Sequence, residues 1–189
     1  MGFLWAVKVY AFLELVNVIL TSGIVIVSCA LLLYLVIYNV RNSVARAFAA
    51  LLTCVLIAYF VDLALVGVQD LEAAATWLRV QWVGIAFTPA AYLDFSNALL
   101  VTTGARSRWR NVAVRVGYLL SALLLLGVAF SDDVVRGVAV VSGATWVSSR
   151  PFFFFFVLYF FVYVVLGGVF VVCGCRLCRK LHPSCIVVW

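Results

Sequence analysis

The sequence predicts an all-α integral membrane protein: a bundle of about five transmembrane helices, N-terminus outside and C-terminus in the cytoplasm. Three observations carry this prediction. Of the 189 residues, 68% are hydrophobic and 11% charged, where a soluble domain holds about a quarter charged. Apolar runs of about 20 residues, enough at 1.5 Å rise to cross a hydrocarbon layer of about 30 Å, recur along the chain. Between them the basic residues alternate sides. Arg41, Arg46, Arg106, Arg108, Arg110, Arg115, Arg176, Arg179 and Lys180 fall on one side, while Lys8, Arg79, Arg136, Arg150 and all the loop acids fall on the other. The richer side is the cytoplasmic one.

Taken in order, residues 1–14 are semi-polar and aromatic and read as an interfacial lead-in. Lys8 and Glu14 interrupt this start and no small-residue cleavage site follows, so no signal peptide is expected. The spans are about 15–38, 47–68, 77–101, 112–130 and 152–172. They form a single transmembrane domain over 1–180, followed by a short tail, 181–189. The longest loop, 131–151, is Val-rich with breaks at Gly137 and Gly143, compatible with a β-hairpin or a re-entrant lid. With lipid and core both apolar, small residues should mark the packing faces: Ala47, Ala50, Ala58, Gly84, Ala90, Ala91 and the Gly167–Gly168 pair. The five-Phe run, Phe152–Phe156, reads as bulk facing lipid or a partner.

The third span is the organising one. Trp77 and Trp82 mark one interface and Arg106, Arg108 and Arg110 the other. Between them lie Pro89, which removes a backbone hydrogen bond beside Thr88 and should bend the helix, and Asp94. A carboxylate here costs about 2.5–3.5 kcal/mol on insertion scales. It therefore either bonds across helices as a structural group or serves as a ligand or relay site. Asn97, one turn on, and Ser96 beside it make an interhelical polar cluster feasible. Asp62 and Glu14 lie nearer the outer interface, within reach of water, Lys8 or Arg79. The ligand or relay candidates are thus Asp94, Asn97, Pro89 and Asp62, and Arg106, Arg108, Arg110 and Arg115 are topology anchors that meet anionic lipid head groups.

The sequence WLRVQWVGIAFTPAAYLDFSNALLVTTG followed by SRWR resembles the N-terminal seven-helix membrane region of bacterial histidine kinases. Such regions carry a Trp-led third helix with a mid-helix proline and a following Phe. Asn39 and Asn42 before the second span, VVRGV after the fourth, and a Phe/Tyr-rich, Gly-ended fifth helix extend the likeness over roughly residues 15–180. The resemblance implies a sensor-type input region in the bacterial inner membrane. The departures are five spans in place of seven, one histidine (His182), and no Gly-rich nucleotide-binding box, so self-phosphorylation is not expected.

Composition and motifs exclude other classes. A net charge of +6 distributed in short interhelical runs is not a nucleic-acid face. No nucleophile–base pair or nucleotide loop points to an enzyme. In the tail, Cys175, Cys178, His182 and Cys185 are zinc-type ligands, but i to i+10 on a helix spans about 15 Å, too far for one tetrahedral ion. No metal or cofactor is expected. Two readings remain: a non-catalytic sensor module acting through partners, or a small accessory subunit of a larger respiratory or photosynthetic membrane complex. Both expect a lipid bilayer and other membrane chains, as an oligomer or a complex subunit.

Overall fold

A computed structural model describes the backbone of residues 2–66, 68, 70–102, 108–130, 139–141, 144–146 and 151–181, and the side chains of 8–9, 11–66, 68, 70, 72–102, 108–129 and 154–172. Five helices and one hairpin make up these residues: α1 (Gly2–Tyr38), α2 (Ser43–Leu65), α3 (Leu71–Thr102), α4 (Arg108–Phe130), β1 (Ala139–Val141), β2 (Ala144–Trp146) and α5 (Pro151–Leu181). Four stretches are long and apolar enough to cross a membrane: Ala11–Tyr38, Ser43–Leu65, Arg108–Ala129 and Phe154–Val172. The fifth helix, α3, is not among them, because Thr88, Pro89, Asp94, Ser96 and Asn97 dilute its apolar character. It is instead the helix against which α2, α4 and α5 pack.

Local chemistry sets the helix starts. Asn42 sits in extended conformation before α2 and its side chain accepts from the Val44 amide at 3.0 Å, satisfying one of the amides a helix start leaves free. Asp70 does the same for α3, accepting from the Glu72 amide at 3.3 Å. With Ala73–Ala75 as strong helix formers, α3 begins at Leu71, earlier than the Trp77 start that hydropathy alone suggests. Residues 2–14, expected as an interfacial lead-in, continue α1 without a break. At 37 residues α1 is about 55 Å long, well beyond the bilayer core. The Val-rich loop contains the hairpin, with Val140 paired to Thr145 in an antiparallel register.

Packing centres on α3, which lies against α2, α4 and α5, while α1 packs on α2. The small residues explain the close approaches. Ala47, Ala90 and Ala91 are buried. At Gly84 a methyl group would come within 2.5 Å of the Cys54 carbonyl oxygen and 3.0 Å of the Ala58 nitrogen, so α2 and α3 touch backbone to backbone. Gly167 seats the Tyr92 ring and Gly117 the Tyr163 ring, whereas Gly168 faces open space and is not a packing position.

The core is Leu93, Val114 and Tyr163, one residue from each of α3, α4 and α5, with Tyr118, Tyr159 and Leu166 packed on it. The Phe run divides: Phe154 and Phe155 are exposed, but Phe156 is buried. It meets Trp82 edge-on with ring centroids 5.0 Å apart, a preferred geometry for aromatic pairs. Helical periodicity turns one residue of the run inward. Phe152 and Phe153 lie outside the described side chains. Neither described cysteine is in a disulfide: Cys54 is half-buried and Cys29 is exposed.

Candidate functional site: a polar chain across four helices

Helices α2, α3, α4 and α5 contribute side chains to polar contacts inside the apolar bundle. At their centre is Asp94, half-buried on α3. Its carboxylate accepts from the Tyr118 hydroxyl of α4 at 3.4 Å, and Arg46 at the start of α2 is close enough to interact with it electrostatically. Tyr118 packs on the same core cluster as Tyr159 of α5. The Tyr159 hydroxyl is 2.7 Å from the Ser121 hydroxyl and 3.3 Å from the Gly117 carbonyl oxygen, both on α4. Tyr159 has one proton to give. The Gly117 carbonyl can only accept it, so Ser121 is the donor in the shorter bond.

One turn from Asp94 towards the end of α3, Asn97 donates to the Asn111 side-chain oxygen of α4 at 3.0 Å. Asp94 and Asn97 therefore each take a partner on α4, which brings the expected interhelical cluster into being. Its partners, Tyr118 and Asn111, were not singled out from the sequence. The signal was there: Asn111, Val114, Tyr118 and Ser121 recur at helical spacing, putting three polar groups on one face of an otherwise apolar helix. Ser96 plays a different part. Its hydroxyl donates to its own helix at the Tyr92 carbonyl, 2.9 Å away, and it is buried against Gly167.

Pro89 is fully buried. Beside it the Thr88 hydroxyl donates to the Gly84 carbonyl oxygen at 2.8 Å, and α3 runs on without interruption. Asp62, exposed near the end of α2, accepts from Gln81 of α3. Gln81 also reaches the Ala58 carbonyl oxygen at 3.5 Å. These bonds clamp α2 to α3 at the end opposite Asp94.

The arginines at the α3–α4 connection differ among themselves. Arg108 and Arg115 are exposed, as anchors at a membrane face should be, while Arg110 is buried at 9% exposure. Arg106 lies outside the described residues, as do the side chains of Cys175, Cys178, His182 and Cys185. Between α4 and α5 an open apolar groove of about 550 Å³ is lined by Leu120, Leu124, Phe155, Leu158, Val162 and the two tyrosines Tyr159 and Tyr163.

Comparison with known proteins places the chain in a family. The model for the N-terminal seven-transmembrane region of histidine kinases matches residues 24–186, most of the chain. The protein belongs to that family and is a histidine-kinase membrane sensor region housed in a membrane. No curated protein and no solved structure matches it.

Proposed function

We propose that this chain is a non-catalytic, multi-pass input module of the bacterial inner membrane, which converts a change at its outer face into a shift of helix packing read by a partner. The observation that carries the reading is the set of polar side chains between helices: Asp94 of α3 bonded to Tyr118 of α4, with Arg46 of α2 within charge range, and Ser121 of α4 bonded to Tyr159 of α5. Together they link neighbouring helices inside an apolar bundle. Polar groups in such a place are costly and are kept for function more often than for stability. Their bonds are also directional, so a rearrangement of one helix re-pairs the others in discrete steps. In this reading α3 is a fifth crossing, shielded from lipid by its neighbours, with the N-terminus outside and the C-terminus in the cytoplasm. The Lys and Arg asymmetry between the links supports that orientation.

The test is purification of the tagged chain from its native membrane in mild detergent, followed by mass spectrometry. The expected result is recovery as a homo-oligomer or with a signalling kinase. Stoichiometric recovery with the subunits of a respiratory or photosynthetic complex would overturn the reading in favour of an accessory subunit.

A further inference from the structure

Arg110 has no acidic partner among the described residues. It is more than nine-tenths buried, and its Nε and Nη2 atoms have no hydrogen-bond partner. These two nitrogens are not scattered over the guanidinium. They form its side-on edge, where two N–H bonds point in parallel, the arrangement that grips two oxygens of one phosphate or carboxylate. Buried N–H groups left without an acceptor are destabilising, so the edge calls for an anion.

No acidic side chain among the described residues supplies one. The acidic side chains of the sequence are Glu14, Asp62, Asp70, Glu72, Asp94, Asp132 and Asp133. Asp62, Asp70 and Glu72 lie at the far ends of α2 and α3, where Asp62 takes Gln81 and Asp70 caps α3. Glu14 precedes the end of α1 by 24 residues, about 36 Å along that helix. Asp132 and Asp133 lie outside the described residues and follow Phe130, the last residue of α4, in sequence. Asp94 is engaged by Tyr118 and interacts with Arg46. The surroundings also favour a negative guest. Arg110 is in the first turn of α4, whose free amides and dipole attract anions. Arg108, the first residue of an apolar stretch fit to cross the membrane, puts this turn at the level of the phospholipid phosphates.

We infer that the Nε/Nη2 edge of Arg110 is a phosphate-binding site at the start of α4, taking the phosphate of an anionic phospholipid or a free phosphate ion. The site stands on Arg110 and is independent of the sensor reading.

The test reconstitutes the full chain into nanodiscs of phosphatidylcholine alone, or with about a third phosphatidylglycerol, and follows thermal unfolding by tryptophan fluorescence. A third arm adds millimolar inorganic phosphate to the phosphatidylcholine discs, against chloride at equal ionic strength. Wild type should gain Tm in the phosphatidylglycerol arm, assigning the site to lipid, or in the phosphate arm, assigning it to the free ion. Arg108→Gln and Arg115→Gln should keep that gain. Arg110→Gln should lose it. Arg110→Lys, which keeps the charge and the fold but not the fork, should need about tenfold more of the responding anion for the same gain. No gain in wild type in either arm would overturn the site. So would an equal gain in the two Arg110 variants.

Discussion

At the residue scale, the pair that matters most is Asp94 and Tyr118. Interhelical hydrogen bonds inside membranes average about 0.6 kcal/mol by double-mutant cycles, because the separated helices find other partners. Tyr118→Phe should therefore lower stability only slightly, by about that amount, in reversible unfolding from mixed micelles. The sharper expectation concerns coupling. Combined with Asp94→Ala, the two losses should fall short of their sum, and strictly additive losses would show that the 3.4 Å contact contributes nothing. Asp94 was legible in the sequence because one acid in an apolar run has few explanations. Its partner was not, since a tyrosine in a membrane helix carries no mark distinguishing a core ring from a donor. Arg110 shows the same limit from the other side. In the sequence it is one arginine among four near neighbours, and only the packing of α4 separates it from the exposed Arg108 and Arg115.

At the scale of the elements, the seam between α2 and α3 makes the clearest forecast. A methyl group at position 84 would meet backbone atoms of α2 at 2.5 and 3.0 Å, and backbone cannot turn aside as a side chain does. Gly84→Ala should part the two helices and cost about 1–3 kcal/mol, the usual range for overpacking, measured as a lowered unfolding midpoint. Gly168→Ala, facing open space, should leave the midpoint unchanged or raise it a little, since alanine is the better helix former. Equal effects of the two substitutions would show that the close approach at Gly84 is not made. The helices themselves were readable from hydropathy, as was the packing role of Gly84, Ala90 and Ala91. Their starts were less so. Hydropathy stops where residues turn polar, whereas a helix continues through polar turns when a cap such as Asp70 and a run of alanines favour it. The inward turn of Phe156 was hidden for a related reason: a run of one residue type has no periodicity to read.

At the scale of the whole molecule, the question is how often the chain crosses the bilayer. Four stretches qualify by length and composition, and α3 lies among α2, α4 and α5. Single cysteines introduced at residues 41, 68, 105 and 133 into an otherwise cysteine-free chain, labelled with an impermeant maleimide, should report the cytoplasm, outside, cytoplasm and outside in turn. Identical labelling at 68 and 105 would mean that α3 does not cross, and the topology would have to be redrawn. The polar contacts between helices were not legible in the sequence, because they depend on which faces meet, and apolar helices offer little pattern from which to infer that.

The bundle is also uneven in how it is joined. Helices α2 and α3 meet backbone on backbone at Gly84 and are clamped again by Gln81, whereas α4 and α5 meet through tyrosine rings and one hydroxyl pair. Main chain against main chain leaves nothing to yield, while rings can tilt and slide within their seats. The α2–α3 contact is thus the stiffer of the two joints, and the α4–α5 contact, made by Tyr159 and Tyr163, the more compliant.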